Sequence, residues 1–349
     1  MPFLTKFGQT YGTIPEFQGR IFWVAPSAEY TVTGRTYYAS DSGENDGLSP
    51  YRALRTVNQA ITNALANSGD VIRLLEGTHT VTATVAASRA GVTFVGTGNP
   101  FVAAARTILS IRGTDDELLN ITASNVEFRN LVLRVQPNFS LVSFQSASVG
   151  IDGLQFKNCL FDLNVNAAAT RNTRGIDMAN RAGGQGTARM GTMEVGLGNG
   201  ATMYLEGCRF LTNGAIGEAL LMATGSVTMT DCRFHNDAGT WATPVGVATN
   251  VDNTWIDRTV WTTSGTMTLA MAGPQFNYAL DIADSVHVSN CRFAANVGTI
   301  ETVAGAKATI FDGFGSETAG SASLRLSQNY AFGGGFSWAS GGVLVDRTT

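Results

Sequence analysis

Four cysteines and three arginines recur in one frame along this chain of 349 residues: Cys159, Cys208-Arg209, Cys232-Arg233 and Cys291-Arg292. Thiols can ligate zinc or pair as disulfides. No CxxC occurs, however, and His79, His235 and His287 stand at no ligand-like spacing. Neither use fits, and no metal is expected. The arginine row is the other candidate, because a basic group beside carboxylates can take part in proton transfer. Glu206, Asp231, Asp237 and Asp162 fall in the same frame. No dense carboxylate cluster accompanies the row, so it reads as a solvent-facing ladder paired with those carboxylates. Acid–base cleavage of a glycosidic bond needs two carboxylates at fixed separation. Asp115-Asp116 is the one Asp pair and falls in a Gly-Thr turn, while Asp281 and Asp284 read as turn-flanking residues. No catalytic residue and no cofactor is assigned.

The elements that carry this frame are five copies of one pattern, beginning at Val126, Leu154, Met203, Val227 and Val286. Each reads apolar-x-apolar-x, then a small polar or glycine residue, then Cys or Leu, x, and Phe or Leu. Alternation on both sides of the central residue predicts two short strands joined by a turn. Asn130, Asn158, Gly207, Asp231 and Asn290 fill the turn slot, and these types accept a left-handed backbone at low cost. Directly after it come Leu131, Cys159, Cys208, Cys232 and Cys291, one inward-facing site repeated down a stack. The 24 residues from Cys208 to Cys232 make one coil, the 49 from Cys159 to Cys208 about two, and the 59 from Cys232 to Cys291 two plus an insertion. The thiols are therefore expected to behave as small buried hydrophobes. Gly91–Pro100, Ala308–Glu317 and Ser323–Phe332 fit as flanking coils. A stack of about ten coils makes a rod of roughly 50 Å.

A cover for the first coil is visible between Tyr37 and Thr80. Ser49 and Pro50 read as the start of a helix over 50–66, with Ala53, Leu54, Val57, Ile61 and Leu65 on its apolar face. The run Asn45-Asp46-Gly47-Leu48-Ser49-Pro50 is followed by Leu54, Thr56, Val57, Ala60 and Ile61. Gly69-Asp70-Val71-Ile72 and Gly77-Thr78-His79 complete it. This opening resembles that of the pectate-lyase-like right-handed β-helix superfamily, and with the coils the resemblance covers residues 36 to about 332. It implies an all-β, right-handed parallel β-helix, a solenoid with a short N-terminal capping helix and an extended N-terminal arm. Polysaccharide lyases, glycoside hydrolases, phage tailspikes and other virion proteins share that fold, so the fold does not choose among them. The clustered aspartates, Gly-His and Arg-x-Lys of polygalacturonase-type enzymes are absent.

Charged residues make up only 14 % of the chain and the net charge is −4, with no basic block, which argues against nucleic acid. No apolar run is long enough for a membrane span, and the first residues lack a signal-peptide pattern. Residues 1–35 hold Phe3, Phe7, Tyr11, Phe17, Phe22 and Trp23 and read as a docking arm ahead of a β-helix domain over 36–349. Insertions are expected over about 164–201 and 238–284, and a glycine-rich tail over 333–349. Trp241, Trp255 and Trp261 in the second insertion are expected as interface anchors. The resulting expectation is a non-enzymatic bacteriophage virion protein. It would be a homotrimer on the particle surface, assembled in the host cytoplasm, and a capsid decoration or cement protein rather than a tailspike or fibre. Its partners would be sister subunits, the major capsid protein or another virion protein held by the arm, and a cell-surface glycan. The alternative is a polysaccharide-degrading β-helix enzyme, lyase or depolymerase, or a receptor-binding tailspike.

Overall fold

Short alternating runs, each broken by a residue at ease with positive φ, give strands that meet at a sharp corner. Asn130, Asn158, Gly207, Asp231 and Asn290 all take φ between 51° and 62°. The computed structural model describes residues 19–43, 45–111, 118–134, 142–144, 151–163, 176–177, 202–213, 220–222, 226–241, 245–247, 254–273, 285–293, 297–302, 323–327 and 330–331. Apart from the antiparallel hairpin of Glu29–Val32 and Arg35–Tyr38, their strands stack in three parallel sheets, and the chain is a right-handed parallel β-helix.

The first sheet has 10 strands, from Ile21–Val24 to Ser323–Ser327. After the corner comes a 9-stranded second sheet, from Gly77–Val81 to Tyr330–Ala331. A third sheet begins at Val85–Ala87 and closes each coil. The corners are themselves hydrogen-bonded along the rod. The amide of Asn158 donates to the carbonyl of Glu206 at 2.8 Å, and that of Gly207 to Thr230 at 3.0 Å. A Cβ on Gly207 would sit 2.5 Å from Asn158 Oδ1, so close stacking as well as backbone sign demands glycine there.

Inward columns make the core. Phe94, Phe128 and Phe156 stack from the first sheet, with ring centroids 4.7 and 5.1 Å apart. Phe161, Phe210, Phe234 and Trp261 stack from the second, at 4.5, 4.7 and 5.4 Å. Between them lie Leu131, Cys159, Cys208, Cys232 and Cys291, all buried. Each thiol reaches a main-chain carbonyl of the preceding coil: Cys159 that of Phe128, Cys208 that of Phe156, Cys232 that of Leu205 and Cys291 that of Ile256.

Several sequence expectations change. Leu154 pairs directly with Met203, so the 49 residues between Cys159 and Cys208 are one coil, not two. Thr254–Asp257 and Val260–Thr263 form a full coil inside the segment expected as an insertion. Arg258 takes its corner at φ 46°, and buried Thr259 fills the cysteine slot. The capping helix is shorter than expected, Val57–Asn63, because Thr56 is the residue whose side chain caps it, accepting from Gln59 N at 3.2 Å. Asp41 receives the amides of Arg55 and Thr56 and so holds the chain out of helix until that point. Ser49 instead anchors a turn, its hydroxyl accepting from Tyr51 N. The β-helix also starts inside the expected arm. Ile21–Val24 pairs with Val71–Leu74 as the first rung, and Asp70 clasps it through Arg20 N at 2.7 Å and the Arg20 guanidinium at 2.9 Å.

Candidate functional site on the outer faces of the coils

Because strand residues alternate in direction, each sheet presents two outward columns whose members are register partners. On the first sheet one column runs Glu127, Gln155, Tyr204, Thr228, Trp255. The other runs Arg129, Lys157, Glu206, Thr230, Asp257. Tyr204 and Trp255 are 43 % and 49 % exposed. They lie two rungs apart in one column, about 10 Å along the rod at the usual strand spacing. Two aromatic rings set along a straight polar strip form a platform on which the apolar faces of pyranose rings can lie.

The strip changes charge along its length. At its lower end Glu127 Oε1 accepts from Arg129 Nε at 2.6 Å and Lys157 Nζ at 3.1 Å, a three-charge cluster with one positive charge in excess. Above it Glu206 is exposed and makes no ion pair among the described residues. Asp257 is held by Arg258 and by Asn290 Nδ2 at 2.8 Å. Arg258 also clamps Asp231 through two bonds of 2.8 and 2.9 Å, which lowers the Asp231 carboxyl below its ordinary range.

Around the corner, the second sheet aligns Arg209 with Arg233, followed by Val260 and Arg292. The expected arginine row therefore exists, but Val260 interrupts it. Its pairing also differs from the expectation. Arg209 lies over the Phe101 ring at 3.9 Å, and burial together with the charge of Arg233 lowers its pKa. Arg233 Nε donates to Thr262 Oγ1 at 3.1 Å. Three of the four carboxylates assigned to the row are engaged elsewhere: Asp162 by Arg134 Nε at 2.9 Å, Asp231 by Arg258 and Asp237 by His235.

The expected interface aromatics separate in the same way. Trp241 and Trp261 are fully buried in the coil interior, a correction to their expected role, because a ring enclosed by Phe234 has no surface left for a partner. Phe22 is likewise core. Trp23 faces outward under the Arg73 guanidinium at 5.1 Å. Among the described members of the set, Trp255 is the exposed one. Phe3, Phe7, Tyr11 and Phe17 lie outside the described residues, as do Asp115, Asp116, Asp281 and Asp284. Tyr204, Gln155 and Lys157 carried no mark in the sequence reading. The alternation of Met203-Tyr204-Leu205-Glu206 could have shown Tyr204 to be an aromatic on the polar face of its strand.

No known family profile matches this chain, and no curated protein sequence does. Solved structures do. Pectin methylesterase from carrot superposes with a TM-score of 0.56 at 10 % identity, over 93 % of this chain and 89 % of that one. Pectin methylesterase PemA from Erwinia chrysanthemi gives 0.50 at 13 %, over 93 % and 91 %. YbhC from Escherichia coli gives 0.51 at 10 %, over 93 % and 87 %. At such identities the likeness establishes the fold. It also corrects the expectation of a non-enzymatic virion component: two of these three structures are named for an enzymatic activity, and none is named as a virion protein. The absence of the polygalacturonase-type aspartate cluster excludes one catalytic recipe and not enzymatic chemistry as such.

Proposed function

We propose that this β-helix is a polysaccharide-active enzyme that holds its chain along the outer face of the first sheet. The observation that carries this reading is the alignment of exposed Tyr204 and Trp255 in one column. Beside them, Gln155, Lys157 and Glu206 offer hydrogen bonds to sugar hydroxyls and charge to acidic groups. The rod supplies a straight, rigid strip, suited to a polymer more than to a small ligand. The neighbours named as pectin methylesterases support pectin as the first polymer to try.

Binding is measured by titrating the protein with oligogalacturonides and pectin while following tryptophan fluorescence and calorimetric heat. Product is followed as methanol, reducing ends and unsaturated uronate absorbance. Saturable binding that weakens about tenfold in Trp255→Ala and again in Tyr204→Ala, a step of about 1.4 kcal/mol each, supports the platform. Equal binding by wild type and both variants removes it.

A further inference from the structure

The second sheet carries an arrangement that the sugar platform does not use. His235 and Thr262 are register partners on neighbouring strands. His235 Nδ1 stands 2.7 Å from Thr262 Oγ1, and its Nε2 stands 2.9 Å from Asp237 Oδ1. A carboxylate only accepts, so Nε2 carries the ring hydrogen and Nδ1 of the neutral imidazole is left as an acceptor. The Thr262 hydroxyl is then the donor to Nδ1. Its alternative acceptor, the Phe234 carbonyl, is 3.4 Å away and loses that competition. Arg233 Nε donates to the same oxygen at 3.1 Å, which places a fixed positive charge beside any negative charge that develops there.

We propose that Thr262, His235 and Asp237 form a hydrolytic relay that cleaves carboxylic esters through an acyl-threonine. Hydroxyl, base and orienting carboxylate are in hydrogen-bonding sequence, the geometric signature of an activated oxygen nucleophile. The relay also lies where a substrate can reach it. The His235 side chain is 24 % exposed, the Asp237 side chain is 49 % exposed and Thr262 is half-buried.

In the first half-reaction Thr262 Oγ attacks the ester carbonyl carbon and its proton passes to His235 Nδ1. The tetrahedral oxyanion is stabilised by the Arg233 guanidinium. The carbon–oxygen bond to the leaving group breaks, and the alcohol departs with the proton from His235. In the second, a water molecule gives a proton to His235 and attacks the acyl-threonine. The carboxylic acid leaves and Thr262 regains its hydrogen. The net change is ester plus water to acid plus alcohol. Asp237 acts as a positioning residue, fixing the ring tautomer.

The substrate class is an ester carried by a sugar polymer, acetyl or methyl, and that choice rests on the platform reading, since Trp255 and Thr262 belong to the same coil. Ester cleavage itself does not rest on it. The full chain is therefore assayed with p-nitrophenyl acetate and separately labelled with a fluorophosphonate, the labelled peptide being located by mass spectrometry. Expected are a label on Thr262, retention of label and turnover in Thr262→Ser, and loss of both by roughly 100-fold or more in Thr262→Val and His235→Gln. Asp237→Asn should lower turnover while leaving ester affinity unchanged. Circular dichroism melting confirms that each variant is folded. Absence of label from Thr262 in the folded wild type, or undiminished turnover in Thr262→Val, overturns the relay. Turnover of the small ester without any polysaccharide binding confirms the relay and sinks the platform alone.

Discussion

A thiol attacks only as its thiolate. Burial, with Cys208 as a further influence, holds Cys159 well above its ordinary range, and burial does the same for Cys208. Sulfur in this protein is packing material. His79 is a further buried titratable group. It begins the inward column that continues through Leu109 and Leu133. Burial is the main cause of its depressed pKa, about 4, opposed by the bond to the Leu75 carbonyl and reinforced by the charge of Arg55. The folded state thus refuses a proton that the unfolded chain accepts near pH 6.5. Between about pH 6.5 and pH 4 the unfolded state binds more protons, so stability falls as pH falls through that window. The neutral ring's full contribution is present above it, and the shift corresponds to about 3 kcal/mol. Urea midpoints taken at pH 7.5 and pH 4.5 should differ less in His79→Gln than in wild type. An equal pH dependence in both would assign the acid sensitivity to carboxylates instead.

At the scale of the coil, stability rests on the aromatic columns. Phe210 sits between Phe161 and Phe234, at 4.5 and 4.7 Å from each. Removing that ring leaves a void that the neighbouring rungs, fixed by their own hydrogen bonds, cannot close. Phe210→Ala should therefore cost about 3–5 kcal/mol, read as a lowered denaturation midpoint, whereas a loss under about 1 kcal/mol would mean that the stack relaxes. The same columns explain what could be read from sequence. Cys208-Arg209-Phe210 and Cys232-Arg233-Phe234 repeat residue for residue, and so their coils were visible. Asp257-Arg258-Thr259-Val260-Trp261 performs the same five roles with five different residues, and that coil reads as a loop. Arg in a left-handed corner, Thr for Cys and Trp for Phe are each tolerated by the backbone and the cavity, yet no repeat survives in the letters. The candidate sites were harder still. Tyr204 and Trp255 meet only through register, and so do His235 and Thr262. Register across a long connection depends on loop lengths that residue patterns do not disclose.

For the whole molecule, each rung is secured mainly by the rungs on either side of it, which makes the two ends its exposed edges. Ile21–Val24, pinned by Asp70 through Arg20, covers the edge formed by Val71–Leu74. Removing residues 1–25 would strip that strand and bare a row of unpaired amides and carbonyls beside Ile72 and Leu74. The truncated protein is expected to self-associate, seen as a rise in light-scattering mass at concentrations where the full chain shows none. A truncated chain that keeps the full-length protein's mass per particle would show that the strand is not the cover.

The cross-coil bonds at the corners, where Asn158 N reaches Glu206 and Gly207 N reaches Thr230, also fix a scale. Every outward side chain sits at a whole number of strand spacings from every other in its column, about 4.8 Å per step. The gap between Tyr204 and Trp255 can therefore change only in jumps, by gain or loss of an entire coil, and never by gradual drift of a loop. A molecule built this way is a graduated ruler. On the proposed platform, polymers whose own repeat matches its divisions would register along it, and those that do not would fall progressively out of step.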